Sequence, residues 1–413
     1  MAAPRVAVVG AGVAGSAAAV ALARMGCEVH LLESAPEPRA EGAGLLLQPT
    51  GLAMLRALGL DEAAVAAGSR VDHLFGDTPA GRVVLDMRYA RLGPGSFGVG
   101  IQRTALLSLL WQAVRGGGVR WHLGTPLEGF AQDGSGVSLR AGDAPGVPAR
   151  VDLLVLANGS FSHLREGMRV RQRQRLYPWG ALWCLLPLPA GWEGLALRQR
   201  YRRAQQMMGV MPVGSGLGTQ PLVTLFWSMS DRSLQAWREQ PDLAALKEQM
   251  QALWPAAAPL LETLRDAATL RVARYADVWM QQWHDGRVVA IGDCAHGMSP
   301  QLGQGANMGL IDALTLADAV GVARRSGREP AEAFASYSAR RHSHLRFYQR
   351  ASRALTPLFQ SDAWAGPLLR DLFFGLGGKL PFVERQSVAA LAGLKAGWLQ
   401  GRVDLPQASF LPH

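Results

Sequence analysis

Lysine is almost absent from this 413-residue chain: Lys247, Lys379 and Lys395 are the only three. The net charge of +10 is therefore carried by arginine. With so much alanine and glycine beside it, this reads first as a GC-rich coding bias. A positive balance still concentrates anionic partners near the surface, but no nucleic-acid motif accompanies it, so none is expected as a partner. Cysteine is equally sparse. Cys27, Cys184 and Cys294 form an odd set without metal spacing; this excludes a disulfide framework and points to reduced thiols in a cytoplasmic setting. No metal is expected. No apolar run reaches the roughly 20 residues of a membrane span. The start, "MAAPRVAVVGAG", has no basic region before its first strand, so a secretory signal is not expected. What remains is a globular composition, 49% apolar and 18% charged, in a chain long enough for one large core or two closely joined domains.

The clearest order lies at the N-terminus, "RVAVVGAGVAGSAAAVALARMGCEVHLLES". Arg5 to Val9 is a short apolar run that suits a strand buried on both faces. Gly10, Gly12 and Gly15 form G-x-G-x-x-G, with Ala14 inside it. The first glycine permits a tight turn, the second lets backbone approach a pyrophosphate, and the third lets the next helix pack on the strand. An alanine-rich helix is predicted from Val13 to about Met25, its N-terminal dipole facing the phosphates. A second strand runs from Cys27 to Leu32, and Glu33 ends it where a carboxylate can accept from ribose hydroxyls. An acid there favours NAD or FAD over NADP; the motif alone does not choose between those two.

The choice comes from residues 287–320, "RVVAIGDCAHGMSPQLGQGANMGLIDALTLADAV". A buried strand from Arg287 to Ile291 ends in Gly292–Asp293. A turn-rich loop follows, and a helix is predicted from about Ala306. This segment resembles the GD fingerprint of the FAD-dependent monooxygenases related to para-hydroxybenzoate hydroxylase, the group A aromatic hydroxylases. The likeness includes the G-D-x-A-H core, the proline, G-Q-G-x-N and the D-A helix. It implies that Asp293 binds the ribityl chain and that Gly303, Gly305, Ala306 and Asn307 face the flavin N1–O2 edge. Negative charge near N1 of a reduced flavin would be stabilised by that helix start. Pro300, Gly303 and Gln304 are the flavin-facing candidates at the reaction centre. His296 is expected to be structural, and Cys294 a small packed residue.

Shorter stretches resemble the same family. "EPRAEGAGLLLQPTGLAMLRALGL" places Arg39 and the turn Gly42 to Gly44 near the flavin. "IQRTALLSLLWQAV" places Arg103, and often the preceding Gln102, on FAD. Leu127 in "HLGTPLEGF" sits where an apolar side chain packs near the adenine. The tryptophan halogenase motif W-x-W-x-I-P is absent. Between the two fingerprints, "VDLLVLANGSFSHLRE" stands where the family carries a third, linked to both FAD binding and NAD(P)H use. Ser162 and Arg165 match, but Asn158 replaces the usual Asp. Asn keeps an acceptor and the shape but loses the charge. FAD binding should therefore survive, and the step with NAD(P)H is where an effect is expected.

Residues 70–100 and 170–230 lack glycine fingerprints and read as mostly antiparallel strands. Arg169, Arg171, Arg173 and Arg175 recur at period two, as do Arg198, Arg200 and Arg202. Each set falls on one strand face: a solvated face by default, or a docking surface for an acidic polypeptide or carrier. Met207, Met208, Met211, Phe226 and Trp227 are core or pocket wall. Tyr177, His73 and Tyr275 are the polar titratable groups near those strands, and no catalytic base is assigned among them. Residues 331–400 read as helices, with Arg340, Arg341, His342, His344, Arg346, Arg350 and Arg353 on a solvated face.

The resulting expectation is an α/β chain. A Rossmann-like FAD-binding domain of the glutathione-reductase type (1–70, 100–168 and 271–330) carries an inserted, mostly antiparallel substrate-binding sheet (71–99 and 169–270), and a helical C-terminal region follows (331–413). The resemblance implies an FAD-dependent monooxygenase. It would hydroxylate an aromatic small molecule with NAD(P)H and O2 through a flavin C4a-hydroperoxide. Two alternatives stay open: the same chemistry on a Trp or Tyr of a polypeptide or carrier-bound substrate, and an FAD dehydrogenase or reductase that does not use O2.

Overall fold

The computed structural model describes residues 3–37, 42–142, 144–189, 196–363, 366, 370, 381–398, 401, 403 and 405. Arg39 lies outside the described residues. The strand Arg5–Val9 is the centre of a six-stranded sheet. Val6, Ala7 and Val8 are fully buried, as a run of branched and small residues covered on both faces should be. Glu28–Leu32 and Leu153–Leu156 flank it in parallel, pairing Val6 with Val29 and with Leu153. Arg120–His122 and Val288–Ala290 extend the parallel order, and His284–Asp285 closes one edge antiparallel.

The helix Val13–Arg24 packs its alanines against this sheet, and Gly26 ends it at φ +76, the left-handed exit that glycine makes without strain. Across it lies Gly305–Arg325. That helix is long and apolar enough by length and composition to cross a membrane, and it is buried between Val13–Arg24, Pro49–Ala57 and Glu332–Phe359.

The second large unit is a seven-stranded sheet. In order its strands are Arg271–Met280, Gln172–Pro187, Leu222–Ser230, Gln206–Gly214, Ala196–Arg202, His73–Asp77 and Val83–Arg88. All neighbours are antiparallel except Ala196–Arg202 with His73–Asp77. The period-two alternation divides its side chains between two environments. Leu182, Cys184, Met208, Val210, Leu225 and Trp227 pack under a helical layer, Asp231–Glu239, Leu243–Leu253 and Ala258–Thr263. The strand reading of this region contains no such layer. Its signals are local: Ser230 and Asp242 cap two of the helices through Ser233 N and Ala245 N.

The opposite face carries Leu185, Trp183, Thr224, Phe226, Ser228, Met207, Met211 and Val213. Here the small sheet Gly44–Leu47, Gly98–Gln102 and Ser69–Val71 docks. A Cβ at Gly44 would lie 2.4 Å from Val213 Cγ1, so glycine allows the contact. Met208 and Trp227 therefore belong to the helical side, and only Met207, Met211 and Phe226 of the expected set face the nucleotide half.

One charge expectation holds and one changes: Arg169, Arg171, Arg173, Arg175, Arg198 and Arg202 are exposed, as a solvated face should be, whereas the basic helix is not wholly solvated. The arginine strands Gln172–Pro187 and Ala196–Arg202 are separated by two others, so they build no common face. Arg200 makes a two-point ion pair with Asp77 at 2.9 and 2.7 Å, and Arg202 donates to Ala252 O. In the helix Glu332–Phe359, Arg341 and His344 are buried, not solvated. Positions 341, 344, 345 and 348 form the i, i+3, i+4, i+7 stripe that the helix presents inward.

Candidate FAD-binding and substrate site

All three sequence fingerprints converge on one cleft of about 630 Å³. Gly10, Gly12, Ala14, Glu33, Arg103, Leu127, Asp293, Gly305 and Ala306 line it, and so do Asn158, Gly159, Phe161 and Ser162. The first loop is held from below, with Trp111 Nε1 and Ser16 Oγ both donating to Ala11 O, at 2.8 and 3.0 Å. Glu33 Oε2 accepts from Ala11 N at 2.8 Å, and Oε1 accepts from Ala35 N at 3.0 Å. Oε1 also accepts from Ser34 Oγ at 3.1 Å, so Oε2 is the oxygen that keeps a lone pair for a ribose hydroxyl. Gly10 has φ +102, and a Cβ there would sit 2.7 Å from Ala157 O, whereas a Cβ on Gly12 would meet nothing within 4 Å. One glycine is required by packing; the other leaves bare backbone facing the cleft. Asp293 is exposed, with no side-chain hydrogen bond among the described residues, and its Oδ1 is 3.7 Å from the Cβ position of Gly305. A free carboxylate beside a helix start, with an acid 260 residues earlier at the other end, fits a dinucleotide carrying two sets of sugar hydroxyls.

Several expected contacts are structural. Gly15 packs helix on strand, the role its place in the motif implies, its Cβ position 1.9 Å from Gly10 O. Gly44 donates to Thr224 Oγ1, and Gln102 donates to Gly214 O; neither lines the cleft. Asn307 is fully buried. Its Nδ2 donates to Leu46 O and Gly303 O, at 3.0 and 3.1 Å, while its Oδ1 accepts from Gln48 N at 2.9 Å. It thus fixes the flavin loop to the small sheet. Gly303, in the left-handed region at φ +60, and exposed Pro300 belong to this loop but not to the cleft lining. Gln304 is buried and directs its amide to Leu391 O.

Arg165 joins the middle fingerprint to the last. It donates to Ser160 O at 3.2 Å and to Cys294 O at 2.8 Å, and Gln172 and Gln174 orient it. Asn158 packs against Gly10, and its Oδ1 is buried without a partner. The same turn puts Phe161, 57% exposed, at the cleft mouth, a lining residue that no sequence signal marked. An Asn158→Asp protein should keep its flavin content, because Glu33, Asp293 and the glycine loop lie elsewhere in the cleft. Its flavin-to-protein absorbance ratio, compared with wild type, checks this; a large loss would mean that Asn158 itself anchors the cofactor.

Behind the cleft is a buried polar chain. Asp312 Oδ2 accepts from Gly292 N at 2.8 Å and from His296 Nε2 at 2.5 Å, and its Oδ1 accepts from Arg341 Nε at 2.7 Å. Burial alone would raise the Asp312 carboxyl, but His296 and Arg341 hold it ionised, below the usual carboxylate range. Burial and the adjacent Arg341 drive His344 down to about 2, so it is neutral. His296 is structural, as expected. Of the titratable candidates, His73 pairs with Asp86 on the outer strands at 2.6 Å, away from the cleft lining. Burial raises Tyr177, and pushes Tyr275 up to about 12, so both phenols stay protonated at neutral pH. Burial also raises all three thiols, and no group of three or more potential metal ligands occurs among the described residues.

A second histidine pair lies at the sheet edge near Glu33. His30 Nδ1 and His122 Nε2 are 3.0 Å apart with their rings stacked. Burial lowers both pKa values. The unfolded chain takes up these protons near pH 6.5, so their contribution is complete above that pH and is lost as pH falls below it. Thermal unfolding between pH 7.5 and 5.5 should show a smaller acid-side drop in Tm for a His30→Gln/His122→Gln protein than for wild type. Equal drops would refute the assignment.

Comparison with known proteins follows the same lines. A family model described as "FAD binding domain" matches residues 4–351. The chain is 31% identical over 365 residues to kynurenine 3-monooxygenase of Salinispora arenicola, covering 82% of this chain and 76% of that one. It is 31% identical over 358 residues to protoasukamycin 4-monooxygenase of Streptomyces nodosus subsp. asukaensis, covering 82% and 84%. Among solved structures, PqsL of P. aeruginosa in complex with 2-aminobenzoylacetate superposes with a TM-score of 0.78 at 22% identity, covering 92% of this chain and all of the other.

Proposed function

The chain belongs to the FAD-binding-domain family of FAD-dependent aromatic monooxygenases, and from that membership we propose that it uses NAD(P)H and O2 to hydroxylate a small, neutral aromatic compound. One observation carries the substrate reading: the three central strands of the seven-stranded sheet bear apolar, aromatic and uncharged side chains on their inner face. On its three inner strands that face presents Leu222, Thr224, Phe226, Ser228, Met207, Gly209, Met211, Val213, Leu197, Gln199 and Tyr201. Trp183 and Phe226 are cross-strand partners and stay only partly buried, while Met207, Met211, Thr224 and Ser228 around them are buried. Gly209 makes room for the Phe226 ring, which a Cβ there would meet at 1.9 Å. Two aromatic faces left accessible on this sheet suit a flat ring. A carboxylate placed among these side chains would be desolvated, because none of the residues that the three central strands present there carries a positive charge.

FAD, when bound, supplies the activation of O2 and the electrophilic oxygen. The protein supplies position and environment. Gly10 to Ala14 and the start of Gly305–Arg325 would hold the pyrophosphate and the flavin, Glu33 and Asp293 the sugar hydroxyls, and Arg103 the cleft mouth. The apolar floor would keep water from the reacting atoms. Tyr177 and Tyr275, protonated at neutral pH, serve as donors and not as bases, which favours a ring already electron-rich without ionisation. Reduction of the purified flavoprotein by NADH and by NADPH tests this, with and without neutral and carboxylated aromatics. A neutral aromatic should accelerate oxidation and gain one oxygen atom from 18O2. Oxidation that yields only hydrogen peroxide with every aromatic, or a preference for carboxylates, overturns the proposal.

A further inference from the structure

Four consecutive carbonyls after the helix Pro381–Leu391 has begun to unwind are each gripped by a side chain of the body. Ala390 O accepts from the Tyr348 hydroxyl at 2.6 Å, and Leu391 O from Gln304 Nε2 at 2.5 Å. Ala392 O accepts from Thr50 Oγ1 at 3.0 Å, and Gly393 O from His344 Nε2 at 2.8 Å. A helix normally leaves its last carbonyls to water or to local turns. Here the partners come from Pro49–Ala57, from Glu332–Phe359 and from the residue that opens Gly305–Arg325. The fit is close: Gly393 has φ +84, and a Cβ on it would lie 2.5 Å from Thr50 Oγ1 and 2.9 Å from Gln304 Oε1.

The same segment faces the substrate sheet. Val388 is fully buried in one cluster with Leu46, Tyr89, Met211 and Val213. Leu391 packs on that cluster but remains partly buried, as do Leu185 and Leu222 on the inner sheet face. Further out, Glu384 is paired with Arg91 at 2.8 Å. The segment therefore touches the flavin loop through its backbone and the sheet through its side chains.

We propose that Leu391 is a specificity-determining residue. Residues 388–393 would wall the substrate space at the Leu185–Leu222 end of the inner sheet face, and Gln304 is a positioning residue that sets this wall against the flavin loop. The inference rests on the reading that this face takes an aromatic substrate. A side chain that shrinks at 391 opens room for a substituent on the ring; one that grows closes it. Glutamate at 304 cannot donate to Leu391 O, and its carboxylate repels that carbonyl, so the wall should move outward.

The experiment titrates the oxidised holoenzyme with 4-quinolone and 2-heptyl-4-quinolone, reading dissociation constants from the perturbation of flavin absorbance. Flavin content and far-UV circular dichroism are recorded for each variant. Leu391→Ala should shift the ratio of the two constants toward the heptyl compound by about tenfold, the range expected when a few methylenes gain room. Leu391→Phe should shift it the other way. Gln304→Glu should move the ratio in the Leu391→Ala direction and also speed trypsin cleavage after the exposed Arg385, a readout independent of turnover. A ratio unchanged in both Leu391 variants overturns the inference while leaving the aromatic reading intact. If neither quinolone perturbs wild-type flavin, and no other neutral aromatic does, the aromatic reading fails and this inference fails with it.

Discussion

An Asp312→Ala protein should lose about 3–5 kcal/mol of unfolding free energy, the range seen when one partner of a buried ion pair is removed. Asp312 is fully buried, and three groups depend on it: the Gly292 amide, the His296 ring and the Arg341 guanidinium, itself 1% exposed. Alanine leaves Arg341 charged in the core, where its remaining side-chain hydrogen-bond partners among the described residues are His344 and Met308 Sδ. It also frees the Gly292 amide, which stands at φ +59 immediately before Asp293. Flavin affinity should therefore fall with stability. An Asp312→Ala/Arg341→Met protein separates the two losses: removing the stranded charge should restore most of the stability, while the Gly292 turn stays unheld and flavin affinity stays low. Chemical denaturation of the three proteins, with flavin dissociation followed by fluorescence, reads both quantities. A double variant no more stable than Asp312→Ala would show that the buried charge is not the source of the loss.

Gly15→Val should abolish FAD binding. The Cβ position at residue 15 lies 1.9 Å from Gly10 O and 3.1 Å from Ala157 Cβ. Both neighbours are fixed, Gly10 by its φ of +102 and by N–H donation to Leu32 O at 2.8 Å. The helix Val13–Arg24 would have to retreat from the strand, carrying away the amides that face the cleft. The variant should purify colourless, and added FAD should not quench on mixing. Gly12→Ala is the contrast: its Cβ meets nothing within 4 Å, so it should fold with wild-type stability and weaken flavin binding only by crowding the cleft. Equal flavin content in Gly15→Val and wild type would sink the packing argument.

The cofactor half was legible because its constraints are local. Gly10, Gly12 and Glu33 sit within 24 residues, and all three line one cleft, Gly10 also required by its backbone geometry. The second fingerprint is as compact. What sequence could not separate was contact from support. Gly44 and Asn307 share motifs with lining residues, yet their work is to hold one piece of backbone against another, and that difference appears only when the distant partners Val213 and Leu46 are in place. The period-two pattern of the substrate strands was readable, but which face looked inward was not. Met207 and Met208 are adjacent and have opposite surroundings, decided by helices 20 to 50 residues later. Arg341 and His344 are buried against expectation for a related reason. A basic run in a helix looks solvated until a buried aspartate, here 29 residues upstream of Arg341, receives it.

The central sheet has a consequence for the order in which the protein is made. Arg5–Val9 pairs with Leu153–Leu156, which pairs in turn with Val288–Ala290. At about 5–20 residues per second, the ribosome needs roughly 15–60 s between the first of these strands and the last. Throughout that interval the first strand and its glycine loop exist without the edge that completes them, and the carboxylate of Asp293 has not been synthesised. With Asp293 as the proposed sugar ligand, the nascent chain should not retain FAD until some seventy per cent of it has been translated. Supply of FAD to the growing chain should matter little, and supply at release should matter a great deal.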